Sequence, residues 1–313
     1  MAGPQQTAPD DGDSASGRDE RLDPATEAFL AHRNLLFTVA YEMLGSAADA
    51  EDVLQETWLR WAGVDLGAVR DFRPYLVRIT TRQALGRLRA LGRRRESYVG
   101  PWLPEPLLTA PDVAEDVELA ESVSIAMLLV LETLTPAERA VFVLRDVFDV
   151  GYEEIAETID KSPAAVRQIA HRARAHVAAR RPRGVVSAAE ARDALDAFKR
   201  AAETGDLQGL LDILAPDVVL IGDGGGVKQA IPRPIVGAGQ VARLLAIGLG
   251  RLDGAASLRP AQVNGYPALI LRIGGEIDSV VAVRIDDGLI TGLYSVRNPE
   301  KLSRLERETA LCR

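Results

Sequence analysis

The sequence has one cysteine in 313 residues, Cys312, next to the C-terminal arginine. A lone cysteine excludes an internal disulfide and any cysteine-based metal cluster, and it fits a reducing, cytoplasmic setting. Histidine is nearly as scarce: His32, His171 and His176 are the full set. No apolar run is long enough to span a bilayer. The first stretch, MAGPQQTAPDDGDSASGRDE, has no apolar h-region, so it is not a signal peptide and reads as a disordered leader over 1–24. Positive charge is outnumbered, with 37 Lys and Arg against 45 Asp and Glu and a net charge of −8. That balance argues against bulk coating of nucleic acid but leaves room for a local basic footprint. The length favours two or three folded units over one.

From Ala25 to Arg95 the pattern is helical. A first helix ends at Gly45, a natural C′ residue. In the next, Val53, Leu54, Thr57, Trp58 and Trp61 form an apolar stripe, with Asp49, Glu51, Asp52, Gln55 and Glu56 around the rest. The third starts near Pro74, with Tyr75, Leu76, Ile79 and Leu85 inward and Arg78, Arg82, Arg87 and Arg89 outward. Prolines 101, 104, 106 and 111 then forbid a helix, and the spacing predicts a linker over 96–117. Its Tyr98, Trp102, Leu103 and Leu107 need something to pack on. Helix resumes over 118–183, where Thr135, Pro136 and Glu138 make a capping box. After a helix from Ala188, β-prone runs alternate with glycine-rich turns from Val218 onward, and Ile285–Leu289 carries a strong hairpin signal. The last third, 187–302 with a tail at 303–313, is therefore α+β, and what precedes it is all-α.

Gly151–Val177 reads as a helix-turn-helix. Ile155, Ala156 and Ile159 form the inner face of its first, acidic helix. Ser162 caps the second and Pro163 opens it. Val166, Ile169, Ala170, Ala173 and Val177 turn inward, leaving Ala164, Arg167, Gln168, His171 and Arg172 on the outer face. Small residues that let the backbone approach, followed by long donors, are what a recognition helix needs in a major groove. The bland alternative is a solvated basic face. A second basic run, Arg70 to Arg95, lies on another helix.

Taken in order, these motifs resemble the extracytoplasmic-function (ECF) RNA polymerase sigma factors. DAEDVLQETWLRW and RPYLVRITTRQALGRLR resemble sigma region 2, and the stretch from Leu134 to Val177 resembles region 4. The last third resembles the SnoaL-like, NTF2-type cone carried by the sigma factor J-like group, through YVGPWLPEP at Tyr98–Pro106, GDGGG at Gly222–Gly226 and NPEKL at Asn298–Leu302. Two positions depart from the pattern: Val227 intervenes before Lys228, and Glu300 stands where Asp is usual. The implied fold is multidomain: two all-α sigma domains, a region 2 helical bundle and a region 4 helix-turn-helix, followed by an α+β NTF2/SnoaL-like cone.

The resemblance also implies roles. Asp49, Asp52, Gln55 and Glu56 would dock on the polymerase core, whose β′ and β subunits are the expected partners. Arg73, Arg78, Thr81, Arg82 and Arg87 would engage promoter DNA at the minus-ten element, with a flipped base held by the loop Gly63–Phe72. Ser162, Ala164, Arg167, Gln168, His171 and Arg172 would read the minus-thirty-five element. A regulatory interface inside the chain would join Tyr98, Pro101, Trp102, Leu103 and Pro104 to Asp223, Gly224, Gly225, Gly226 and Lys228 and to Asn298, Pro299, Lys301 and Leu302. No catalytic residue, metal, cofactor or membrane partner is expected. Asp217, Asp223, Glu276 and Asp278 are the candidate acids for acid–base chemistry in the cone, and nothing in the sequence pairs them. Two rivals stay open at this point. One is a one-component helix-turn-helix regulator with a ligand-sensing cone, and the other a cyclase or isomerase with a DNA-binding leader.

Overall fold

The computed structural model describes residues 23–95, 97–110, 117–180, 187–250, 256–306 and 308–312. The expected leader lies outside the described residues up to Leu22, as do part of the linker at 111–116 and the boundary around Arg183.

Three helices open the fold: α1 (Pro24–Leu44), α2 (Ala47–Trp61) and α3 (Phe72–Arg95). Asp23 caps α1 by accepting from the amides of Ala25 and Thr26, and Gly45 ends it at φ 66°. Only a residue comfortable at positive φ can make that left-handed stop. After the linker come α4 (Val117–Val123), α5 (Ile125–Glu132), α6 (Pro136–Phe142), a π-helical turn (Val143–Val147), α7 (Tyr152–Ile159) and α8 (Pro163–Ala178). The helical run expected from residue 118 onward is broken at Ser124, whose hydroxyl accepts from Met127 N and starts a new helix. A side-chain cap competes with the backbone at that point, and apolar periodicity does not show it.

The last third comprises α9 (Ala188–Thr204), α10 (Leu207–Ile213), β1 (Leu214–Asp223), β2 (Ile235–Val236), α11 (Ala238–Gly250), β3 (Ala256–Val263), β4 (Tyr266–Ile273), β5 (Glu276–Asp286), β6 (Leu289–Val296) and α12 (Pro299–Leu302). The sheet order is β2-β1-β6-β5-β4-β3. Only β1 and β6 run parallel. Register shifts at Leu214/Val219, Leu271/Arg272 and Arg284/Ile285 bend the sheet, because an extra residue on one strand sharpens the local twist.

Strand alternation gives the sheet two apolar faces. On one, Leu220, Leu269, Val283 and Leu293 meet Leu195 and Phe198 of α9, Leu210 of α10 and Val241 of α11. On the other, Ala268, Ile270, Val280, Ala282, Tyr294 and Val296 are covered by Leu103 of the linker, Ile125 of α5 and Leu302 and Leu305 near the C-terminus. Each large side chain so buried contributes roughly 1.5–3 kcal/mol. The helices before the sheet share one continuous core, from Leu36, Tyr41, Trp61 and Leu76 to Leu128, Leu131, Val141, Val166 and Val177.

Candidate nucleic-acid interface and the junction around Asp223

The helix-turn-helix is built by its caps. Asp160 sits at φ 57° after α7. The Ser162 hydroxyl accepts from Ala165 N, and Pro163 occupies the first turn of α8. Val166, Ile169, Ala170, Ala173 and Val177 are buried, which turns Ala164, Arg167, Gln168, His171 and Arg172 outward, all exposed. Arg167 donates to Glu153 at 2.8 Å and lies 5.5 Å over the Tyr152 ring. Arg145 lies 5.1 Å from the same ring, and Arg174 donates to both Asp146 at 2.6 Å and the Tyr152 hydroxyl at 3.3 Å. The basic side chains of this unit are thus held in place by acids and one tyrosine.

The α3 face differs from its expectation at two residues. Thr81 is fully buried, and its hydroxyl has no hydrogen-bond partner. It falls in the stripe of Val77, Leu85 and Leu88, since residues three and four apart share a helix face. In this arrangement Thr81 is a buried position and not part of the exposed α3 face. Arg87 does not face away from the bundle. It pairs with Asp49 at 2.8 Å and also with Asp52. Two residues assigned to polymerase and one assigned to DNA thus pair with one another, because α2 and α3 lie side by side. Asp52, Gln55 and Glu56 are exposed, and Asp49 is half-buried. Arg73 is exposed and Arg78 stacks 4.8 Å over Tyr75. Arg82 donates through Nε to Thr158 O at 3.0 Å and through Nη2 to Glu157 O at 2.6 Å.

Asp223 ends β1 with no exposed surface. Its Oδ1 accepts from the Tyr98 hydroxyl at 2.6 Å and from Gly225 N at 3.0 Å. Its Oδ2 accepts from Leu103 N at 2.9 Å and from Lys301 Nζ at 2.7 Å. The Lys301 amine also lies 4.3 Å from the Trp102 ring and 4.9 Å from the Tyr98 ring. Asn298 donates to the Tyr98 hydroxyl at 3.0 Å. Burial first, then the Asp223 carboxylate, pushes the Tyr98 phenol up. Gly224 and Gly225 are required by close approach, since a Cβ would strike Lys228 O at the first and the Asn298 amide at the second. A Cβ at Gly226 would lie 3.1 Å from Val99. Pro101 is half-buried, Pro104 is buried, Pro299 opens α12 and Leu302 is buried. Lys228 stands apart from this cluster: it pairs with Asp278 at 3.1 Å, as does Arg297. Asp223 and Asp278 are thus each engaged by cations, not by a second carboxylate. Asp217 and Glu276 are exposed.

Two family models match the chain: Sigma-70 region 2 over residues 28–94 and Sigma-70, region 4 over residues 124–177. The ECF RNA polymerase sigma factor SigJ of Mycobacterium tuberculosis (strain ATCC 25618 / H37Rv) is 36% identical over 292 residues, 88% of this chain and 92% of that protein. The chain belongs to the ECF RNA polymerase sigma factors. This sigma factor is also similar to a probable ECF sigma factor, SigI, of Mycobacterium tuberculosis (strain CDC 1551 / Oshkosh), 33% identical over 91% of this chain and 97% of the other. The crystal structure of SigJ superposes with a TM-score of 0.71 at 33% identity, covering 90% of this chain and 99% of the other. The last third of the sigma factor is accordingly an NTF2/SnoaL-like α+β domain behind the two helical sigma regions.

Residues of this sigma factor that the sequence left unmarked form a second junction. Asn264 and Gly265 turn the β3–β4 hairpin at φ 55° and 74°. The Asn264 amide donates to the Tyr41 hydroxyl of α1 at 2.7 Å and to Val123 O of α4 at 2.8 Å, while its Oδ1 accepts from Leu107 N at 2.9 Å. One side chain of the C-terminal domain thus ties region 2, the linker and helix α4 just before region 4. The Asn-Gly pair is a hairpin signal readable from sequence, but its contacts are not. Beside it, Glu105 receives the α2 amides of Ala47 and Ala48 at 2.8 and 3.2 Å. Glu42 and Arg139 are buried, with Ser122 donating to Glu42 at 2.7 Å and Arg139 donating to Glu42 O at 3.0 Å and to Glu132. The tail returns to region 2: Thr309 bridges Thr109, Leu311 is buried in the shared helical core, and Cys312 N donates to Thr38.

Proposed function

We propose that this sigma factor binds polymerase core, reads the minus-ten element with Arg73, Arg78 and Arg82 of α3 and the minus-thirty-five element with the outer face of α8, and is restrained by its own C-terminal domain. Asp52, Gln55 and Glu56 supply the exposed acid and amide surface for the β′ subunit, by charge complementarity. Region 4 would meet the β subunit. The observation that carries the restraint is the Asp223 junction, where a buried carboxylate from the C-terminal domain holds Tyr98 and Leu103 of the linker while Lys301 is clamped between Tyr98 and Trp102. Charge-assisted hydrogen bonds in a water-excluded site are the strong ones. They fix the linker, and the linker sets the separation of the two DNA-binding regions.

The test is in-vitro transcription with core polymerase and promoter DNA, comparing the full chain with its Asp223→Ala and Asn264→Ala variants. Hydrogen exchange verifies that each variant remains folded. Higher promoter-dependent yield from the released variants supports the restraint. Unchanged yield from folded variants whose linker has become mobile removes it.

A further inference from the structure

The first helix of the helix-turn-helix carries Glu153, Glu154 and Glu157, whereas the second has no acid at all. Packing does not demand those acids, because α7 is held by Ile155 and Ala156, both buried, on its opposite side. The acids lie instead among the arginines of both DNA-reading faces. Arg78 Nη1 stands 3.8 Å from Glu157 Oε2. Burial, with Asp71 and Glu157, pushes the Glu154 carboxyl up against the opposing pull of Arg73 and Arg78. Arg82 donates to the carbonyls of Glu157 and Thr158, in the last turn of α7, where the helix dipole is negative and the carbonyls have no partner within the helix. On its other side the same helix holds Arg167 of α8 through Glu153 at 2.8 Å.

We propose that α7 is an internal stand-in for the promoter's phosphate backbone, occupying the α3 arginines in the free sigma factor until DNA displaces it. This rests on the reading of Arg73, Arg78 and Arg82 as the minus-ten face. Geometry forces the exchange. The two elements lie about 25 base pairs apart, or about 85 Å at 3.4 Å per pair, whereas α3 and α7 are hydrogen-bonded here. Both faces cannot sit on their elements in this arrangement. The contact is also suited to exchange. The Glu157 side chain is 72% exposed and that of Arg78 33%. Such surface pairs are weak and screened, so phosphates replace them at little cost. The buried Arg139 side chain, by contrast, donates to Glu42 O at 3.0 Å and belongs to the packing that joins the two regions.

The experiment uses the full chain on a Cys312→Ser background, with fluorophores on Leu59→Cys and Ala178→Cys reporting the distance between the two regions. Glu154→Gln with Glu157→Gln is compared with the parent at fixed ionic strength, without polymerase. The expected result is a longer inter-region distance and roughly threefold tighter binding of a forked promoter duplex, the effect of freeing the one exposed Arg78–Glu157 pair. Unchanged distance and affinity would overturn the proposal. A longer distance without tighter binding would overturn it too, showing plain helix packing. Failure of the underlying reading has its own signature. If Arg78→Ala with Arg82→Ala leaves promoter-dependent transcription with core polymerase intact, those arginines do not read the minus-ten element, whatever α7 does.

Discussion

The Tyr98 hydroxyl donates to Asp223 Oδ1 over 2.6 Å, across 125 residues of chain. Tyr98 is one of four donors to that carboxylate, the others being Gly225 N, Leu103 N and Lys301 Nζ. The two partners are therefore unequal. Tyr98→Phe removes one hydrogen bond and should cost about 1 kcal/mol. Asp223→Ala takes the carboxylate from the 12%-exposed Lys301 side chain and should cost roughly 3–5 kcal/mol. Hydrogen-exchange protection of residues 98–108 should fall slightly in the first variant and steeply in the second. Equal losses would mean that the hydroxyl, not the charge, organises the junction.

Gly265 is the least replaceable glycine of the hairpins. It sits at φ 74°, and a Cβ there would lie 2.7 Å from Ala120. Gly265→Ala should therefore loosen the β3–β4 turn from α4 and raise proteolytic cleavage of the linker. Asn264→Ala should do the same by leaving Val123 O and Leu107 N unsatisfied, at about 1–3 kcal/mol each where they stay dry, while the Tyr41 hydroxyl keeps its bond to Glu105 O. Gly288→Ala in the other hairpin, with open space around its Cβ, should leave the linker protected.

Glu42 gives the closed arrangement a pH dependence. Burial pushes its carboxyl up to about 8, against the lowering pull of the Ser122 hydrogen bond and of Arg139. The folded state therefore holds this proton more tightly than the unfolded state. The stabilisation is fully present below the unfolded value of 4.5 and is lost as pH rises towards about 8. Each pH unit inside that window removes at most about 1.4 kcal/mol. Urea denaturation at pH 5.5 and 8 should show the parent losing stability, with Glu42→Gln losing less. A parallel pH profile in the variant would locate the dependence elsewhere.

Thr81→Val should leave promoter-dependent transcription intact and raise stability slightly, because it replaces a buried hydroxyl that has no partner with a methyl of similar shape. Arg167→Ala should weaken binding to the minus-thirty-five element by about 1–3 kcal/mol, measured by fluorescence anisotropy. Lost transcription in a folded Thr81→Val protein would return Thr81 to the DNA face.

Local chemistry made much of the fold legible in the sequence. Gly45, Ser162, Pro163 and the Thr135–Glu138 box act within one helical turn, so their caps appear where the residues stand. Helical periodicity likewise assigned Val166, Ile169, Ala170, Ala173 and Val177 to the core and the Arg167 face to solvent. Thr81, given a DNA contact only by the family resemblance, lies next to the exposed Arg82: neighbours 100° apart on a helix straddle the boundary of an apolar stripe, and polar character does not place them. The β-prone runs of β4, β5 and β6 marked strands, but not the two faces of the sheet or what covers them.

What the sequence determined by itself is most of the helices, several of their caps and the basic faces they present, because these depend on residues within a few positions of one another. Only the tertiary structure decided the pairings: Arg87 with Asp49 and Asp52, Arg82 with the end of α7, Asp223 with Tyr98 and Lys301, and Asn264 with Tyr41. Charge and hydrogen-bond partners are short-ranged in space and indifferent to distance along the chain. They come into being only when packing brings remote segments within about 3 Å.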